Sequence, residues 1–223
     1  MSSLSSVQIK ELISKALSAE NNPKRNFHQS VQMYIKLREV DLSKPENRFS
    51  LLVQLPHLNE KLTRSVCVFT AGSLLSQARS LGVDVISRDD LEPLAGNKKM
   101  ARKLARKYDY FIAEAPLMAL VGKVLGQFLA PRDRMPTPVP PSSDISSHIS
   151  RLRSSVQVRL KTQGVMSTVI GTEDMPIEHL VENAIRVLTA VEEKLPAGRR
   201  NLKSLYFKTT MGKKVALEVG KHG

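Results

Sequence analysis

Leu205-Tyr206-Phe207-Lys208-Thr209-Thr210-Met211-Gly212-Lys213-Lys214-Val215-Ala216-Leu217-Glu218-Val219 is the stretch that decides how the chain is read. Leu205, Phe207 and Thr209 alternate with Tyr206, Lys208 and Thr210, the period-two pattern of a half-buried strand. Val215, Leu217 and Val219 resume the alternation, so Met211-Gly212 marks the bend of a hairpin. Charge around the bend is one-sided. Lys194, Arg199, Arg200, Lys203, Lys208, Lys213, Lys214 and Lys221 face a single acid, Glu218. Hydroxyls, a glycine that admits another backbone, and lysines without acidic partners suit a phosphate–sugar backbone. An ordinary hairpin with a solvated basic tip has the same spacing, since Lys is a common edge-strand residue.

Composition points the same way. The 223 residues carry 34 Lys and Arg against 21 Asp and Glu, a net charge of +13. The pI is near 10.0. That excess favours a polyanionic partner, nucleic acid or an anionic surface, without choosing a fold. The length corresponds to about one and a half domains. No run approaches ~18 consecutive apolar residues, so no membrane span is expected. Met1-Ser2-Ser3-Leu4 lacks the basic region and apolar stretch of a secretory signal. The lone cysteine, Cys67, cannot form an internal disulfide, and a cytosolic, reducing location is expected.

Outward from the hairpin, the remaining elements fall into two styles. Ser6 to Ala19 reads as a helix capped by Ser5 or Ser6, broken by Asn21-Asn22-Pro23. Val31, Met33 and Ile35 alternate towards a strand ending near Leu37, and a second strand runs from Arg48 to Leu55. Helix, strand, loop and strand over 1–62 do not make a complete domain. Beyond it, Ser65–Phe69, Val83–Ile86 and Tyr110–Ala113 are short apolar strands. The helix Ser73–Leu81 and the basic run 98–107 lie between them, the spacing of a small parallel α/β layer. In the basic run, Met100, Leu104 and Tyr108 form an i, i+4 apolar stripe while six cations fill the other faces. That run is either a solvated helix face or one that meets phosphates.

A helix ends at Pro131, Arg132 and Arg134 flank a turn, and four prolines between Pro136 and Pro141 predict an extended connector. Ser142–Ser147 reads as a joint. Val156–Leu160 and Val165–Ile170 predict strands, the latter stopping before Gly171. Met175-Pro176 opens a helix with Leu180, Ala184, Ile185, Leu188 and Val191 on one face.

Catalytic signatures are missing. Gly122-Lys123 lacks phosphate-loop spacing, and no G-x-G-x-x-G follows a strand. The five histidines are scattered without HExxH spacing, and one cysteine cannot supply C-x-x-C. Asp84, Asp89 and Asp90 could seat Mg²⁺, although acids at a strand end and helix start are commonly turn and cap residues. No metal or cofactor is expected. A nucleotide-using enzyme acting on RNA is the alternative, invited only by the α/β layer.

Phe49-Ser50…Leu55-Pro56-His57, then Leu125-Gly126…Pro131-Arg132…Met135-Pro136…Pro138, then Glu182-Asn183, then Thr210-Met211-Gly212 occur in fixed order. Together they resemble the large-subunit ribosomal protein L one family, the protein of the mobile stalk. Arg48-Phe49-Ser50 and Ala105–Asp109 look like its archaeal and eukaryotic branch. The resemblance covers essentially the full chain and implies a two-domain α/β protein. A discontinuous α/β sandwich, residues 1–62 with 153–223, would bind RNA, and 63–152 would be an inserted Rossmann-like domain.

By the same resemblance, the partners would be large-subunit ribosomal RNA, exit-site transfer RNA and a mimic in the protein's own messenger RNA. The free protein would be a monomer, cytoplasmic and ribosome-bound when at work. Phe27, Ser30, Lys36, Thr210, Met211 and Gly212 take the positions of the family's RNA contacts. Lys208, Thr209, Lys213, Lys214, Arg132 and Arg134 are auxiliary candidates. On its own Phe27 reads equally as a core aromatic. Asn26 stands where the family often has a basic residue. Ala130 and Asp133 stand where it usually has Gly, Thr137 replaces Asn, and Leu51-Leu52 replaces Gly-Thr.

Overall fold

The computed structural model describes residues 6–57, 64–72 and 74–219. The cap read at Ser5, the helix start at Ser73 and the cation Lys221 lie outside them. In chain order the elements are α1 (Ser6–Leu17), β1 (Ser30–Leu37), β2 (Phe49–Gln54), β3 (Val66–Thr70), α2 (Leu75–Ser80), β4 (Asp84–Ser87) and α3 (Arg88–Gly96). There follow α4 (Lys98–Lys107), β5 (Tyr110–Glu114), α5 (Met118–Leu129), β6 (Thr137–Val139) and α6 (Ile145–Arg153). The last are β7 (Ser155–Leu160), β8 (Val165–Thr172), α7 (Ile177–Glu192), β9 (Leu202–Thr209) and β10 (Val215–Glu218). The chain divides into two compact units, Met1–Leu62 with Ser154–Gly223, and Thr63–Arg153. No described helix is long and apolar enough to cross a membrane.

The first unit has a four-stranded antiparallel sheet in the order β10-β9-β1-β8, and β2 pairs with β7. Val31, Met33, Ile35 and Leu37 on β1 point into a core shared with Leu205 and Phe207 of β9. Ile9, Ile13 and Ala16 of α1, and Leu180, Ala184, Val187 and Val191 of α7, complete it. Each buried Ile, Leu or Val contributes roughly 1.5–3 kcal/mol relative to exposure.

Two readings of this unit change. Strand β8 runs through Gly171, where an added Cβ would lie 2.3 Å from Leu180 Cδ2 and 2.8 Å from Met175 Sδ. The glycine lets α7 close on the strand instead of ending it. Ile185 lies outside the core, 36% exposed. The polar Asn183 is fully buried in the helix face instead: its Nδ2 donates to His57 O (2.8 Å) and Ile170 O (2.7 Å), and it accepts from His57 N (3.0 Å). A side chain that meets three backbone groups is satisfied in the core.

The second unit is a parallel sheet in the order β4-β3-β5-β6. Alternation along the strands builds both faces. Val66, Val68 and Ile112 pack with Ala78 of α2 and with Ile145, Ile149 and Leu152 of α6. Cys67, Phe69, Phe111 and Ala113 pack with Leu91 of α3, Ala101 and Ala105 of α4, and Val121 and Leu125 of α5. This is the Rossmann-like layering expected of an α/β class with helices on both faces.

The basic run is helical over its expected length, with Tyr108 buried and Leu104 half-buried as the stripe predicts, but Met100 is 57% exposed and Ala101 and Ala105 are buried instead. Small alanines let α4 lie close against its neighbours, and Met100 sits a quarter-turn or more away from them. The proline-rich stretch is more than a connector, because Thr137–Val139 is an edge strand paired with β5. Pro138 costs nothing there, since its missing N–H can face away from the sheet. Nor is Ser142–Ser147 a joint: α6 begins at Ile145, and Asp144 Oδ1 accepts from Ser146 N (2.9 Å).

Cys67 has no exposed surface, and burial, with Asp84 adding to it, pushes its thiol up to about 12. At pH 8 the folded protein therefore holds almost no thiolate. Labelling by a disulfide reagent is expected only through opening of the second unit, with a rate that follows denaturant. Fast labelling of the native protein would contradict the packing.

Candidate nucleic-acid interface

Residues far apart in sequence meet where the start of β1 lies beside the end of β9. Val31 pairs with Thr209. Ser30 N donates to Thr210 Oγ1 (3.2 Å), and Thr210 Oγ1 lies 3.4 Å from Ser30 O. Beneath them Gln29 is fully buried. Its Oε1 accepts from Met211 N (3.0 Å) and its Nε2 donates to Asn22 Oδ1 (2.7 Å). Its backbone N–H donates to Glu173 Oε1 (3.0 Å), while Asn22 Nδ2 donates to Glu173 Oε2 (2.9 Å). The Asn21-Asn22 break after α1 is thus a structural brace, and Lys213 N reaches Asn21 O (2.8 Å). Sequence reading missed Asn21, Asn22, Gln29 and Glu173, since isolated polar residues leave no periodic trace.

On this brace the expected contacts separate. Phe27 is 51% and Met211 55% exposed, so the reading of Phe27 as a core aromatic fails. Exposed apolar side chains of this size next to hydroxyls and amides can pack on sugars or bases. Phe27 also lines an open hollow of about 590 Å³ with Asn22, Lys24, Arg25, Asn26 and Glu173. Asn26 therefore stands directly after two cations.

Lys36 and Lys208 lie on the outward sheet face with Tyr34, Tyr206, Gln32 and Ser204. Across β1 and β9, Gln32 stands opposite Lys208, Tyr34 opposite Tyr206 and Lys36 opposite Ser204. Lys214 Nζ sits 5.8 Å from the centroid of the Tyr206 ring, and Lys213 is exposed beside it. Among the described residues, no ion pair involves Lys36, Lys208, Lys213 or Lys214.

Thr209 and Gly212 do different work from that expected. Thr209 is fully buried, and its hydroxyl donates to Asn22 Oδ1 (2.8 Å), so it positions the brace and cannot reach a ligand. Gly212 has no positive φ. An added Cβ there would meet Thr209 Oγ1 at 2.3 Å and Asn21 O at 2.7 Å. The backbone it admits is the chain's own.

Arg134 is also structural. Its Nη1 donates to Tyr108 O (2.6 Å) and Ala105 O (3.2 Å), and its Nη2 lies 3.5 Å from Asp109 Oδ1. A guanidinium capping the last carbonyls of α4 satisfies that helix end and its dipole, and is not offered to a phosphate. Arg132 is half-buried in a 3-10 turn before Asp133, whose φ of 53° is left-handed. Asp tolerates that conformation better than most residues, which accounts for its standing in a glycine position.

The second unit's crevice is filled from within. In a doubly wound sheet a nucleotide lies beyond the strand ends where the winding reverses, here between β3 and β5. Glu114, 1% exposed at the end of β5, accepts there from Thr70 Oγ1, Ala71 N (2.9 Å) and Leu74 N (3.1 Å). The backbone donors that would cradle a phosphate are already bound to a carboxylate. Two of the three acids near β4, Asp84 and Asp90, are also engaged. Tyr108 Oη (2.6 Å) and Lys107 Nζ (3.0 Å) donate to Asp84 and hold its carboxyl below the usual range. Asp90 forms a capping box with Ser87, which lowers it likewise.

Residues 16–213 match the model of the Ribosomal protein L1p/L10e family. The chain is 48% identical over 195 residues to the large ribosomal subunit protein uL1 of Thermococcus kodakarensis, covering 87% of this chain and 90% of that one. It is 44% identical over 206 residues to that of Methanothermobacter thermautotrophicus, covering 92% and 96%. With that of Thermofilum pendens it shares 42% over 214 residues, covering 95% and 94%.

Proposed function

We propose, from the premise that the chain belongs to the ribosomal protein L1p/L10e family, that its first unit binds large-subunit ribosomal RNA. The chain is a large-subunit ribosomal protein and not an enzyme. One observation carries the RNA reading: Ser30, Thr210 and Met211 are locked together over a buried amide brace, with Phe27 adjoining and unpaired lysines on the neighbouring sheet face. Such a surface offers hydrogen bonds to 2′-hydroxyls, apolar contact to sugars or bases, and charge for phosphates. The contact set is Phe27, Ser30, Lys36, Thr210 and Met211, with Lys208, Lys213 and Lys214 supplying charge. Gly212 and Thr209 hold the bend. The RNA-binding domain is 1–62 with 153–223, and 63–152 is an insertion.

The finer family expectations belong to the same reading. The protein accompanies deacylated transfer RNA from the exit site, represses its own messenger RNA through a mimic of the ribosomal site, and works in the cytoplasm on the ribosome. Their support is family membership together with a surface that fits folded RNA.

The test replaces residues 63–152 with a short Gly-Ser linker and measures stalk RNA binding by isothermal titration across a salt series. Affinity is expected to stay within about tenfold of the full chain. Log K should fall linearly with log salt, roughly 0.7–0.9 per phosphate neutralised. A shortened chain that folds, by circular dichroism, yet loses more than a hundredfold would refute the assignment of binding to the first unit.

A further inference from the structure

We propose that the outward face of α4, in the second unit, is a separate surface that takes the phosphate backbone of double-helical RNA without reading its sequence. Lys98, Lys99, Arg102, Lys103 and Arg106 are all exposed, and the helix contains no acid. Successive residues on a helix turn by ~100°, so these five cover an arc of roughly 140° whose centre lies roughly 110° around the helix from that of the buried Ala101 and Ala105. They extend over about 12 Å of helix length, room for about two phosphates along one strand of a duplex. Among the described residues, none of the five joins an ion pair.

The arrangement works against the helix that carries it. Lys98 and Lys99 occupy the first turn, where the helix dipole disfavours cations. Lys98 with Arg102, Lys99 with Lys103, and Arg102 with Arg106 are like-charge pairs at i, i+4, which repel. Neutral residues would build a steadier helix here. A face held against its own stability is relieved when a polyanion lies on it. The occupant is a duplex because the face offers no open ring on which unpaired bases could stack: Arg102 lies over Phe128, 5.8 Å from its centroid. The proposal is independent of the first unit's contacts.

The experiment uses the full chain and the variant Lys98→Gln/Lys99→Gln/Arg102→Gln/Lys103→Gln. Its probe is a fluorescent 20-base-pair RNA duplex unrelated to the stalk. The variant is expected to bind about tenfold more weakly at ~0.1 M salt, with a salt slope about 2–3 lower. A control, Lys15→Gln/Lys44→Gln/Arg186→Gln/Lys194→Gln, removes the same charge from scattered positions and should change the slope by less than 1. At ~20 mM salt the α4 variant should also unfold a few degrees higher than the parent, and the gain should vanish at ~0.5 M. Equal slopes for variant and control, a lower unfolding temperature at low salt, or tighter α4-dependent binding of a poly-U strand than of the duplex would each overturn the proposal. Stalk RNA binding by the first unit would stand in any of those cases.

Discussion

Gly212→Val is expected to destabilise the first unit by about 3 kcal/mol, whereas Met211→Ala leaves its stability unchanged within about 0.5 kcal/mol. The valine Cβ alone would fall 2.3 Å from Thr209 Oγ1 and 2.7 Å from Asn21 O. Both neighbours are held: Thr209 by Asn22 Oδ1, and Asn21 O by the N–H of Lys213. Making room means breaking one of these bonds and leaving a buried group unpaired, which costs about 1–3 kcal/mol beyond the overpacking itself. Met211 is 55% exposed and makes its buried contact through its backbone N–H, which alanine keeps. Stalk RNA affinity should nevertheless fall about tenfold in Met211→Ala, while affinity for an unrelated duplex stays the same. Urea unfolding and paired titrations read both quantities. An unaltered unfolding midpoint in Gly212→Val would mean that the bend is looser than its contacts indicate. Equal losses on both RNAs in Met211→Ala would remove the side chain from the specific contact set.

Glu114→Ala should open the second unit. Its carboxylate serves Thr70 Oγ1, Ala71 N and Leu74 N at the inner end of the parallel sheet. Truncation strands those donors around a cavity, a loss of about 4 kcal/mol when each costs about 1–3 and water reaches some of them. Glu114→Gln keeps one acceptor oxygen and should lose about half as much. Cys67 reports the change: a loss of about 4 kcal/mol raises its labelling through opening by nearly a thousandfold. Stalk RNA binding at low temperature should stay within about threefold in both variants. Thiol protection equal to that of the parent would show that Glu114 fills the crevice without holding it together.

Where the sequence could be read, backbone periodicity did the telling. Strand β1 alternates without fault from Val31 to Leu37, and β9 does the same from Leu205 to Thr209, so both appear as buried and open faces in the expected phase. Helix interiors were less transparent. Of the stripe Met100, Leu104 and Tyr108, Tyr108 is buried and Leu104 half-buried against the core, while Met100 is exposed and Ala101 and Ala105 pack in its place, because close helix approach rewards small side chains. Ile185 lies off the core face and Asn183 lies on it for a different reason. A buried amide that meets three backbone groups offsets its desolvation, and no pattern of apolar residues reveals that. The candidate site divides along the same line. Phe27, Ser30, Thr210 and Met211 were recognisable through family motifs, whereas the Asn22–Gln29–Glu173 brace exists only once the two chain ends are together. The helix start and cap reading of the acids near β4 corresponds to α3, where Ser87 and Asp90 form a capping box, although no apolar periodicity gave that helix its bounds.

Every strand partner of the described residues 6–57 is made late. Strand β1 pairs with β8 and β9, and β2 with β7, all of them beyond Arg153. The start of β8 follows Leu37 by 128 residues. At ~5–20 residues per second of synthesis, β1 therefore waits roughly 6–25 s with both edges bare. The second unit is contiguous and can fold during that interval, its local helix–strand connections closing as they emerge. The amino-terminal segment is then a nascent chain's exposed strand, open to pairing with neighbouring copies on a crowded polysome. The lysines and arginines between Lys10 and Lys36 keep such copies apart until the carboxyl-terminal strands arrive.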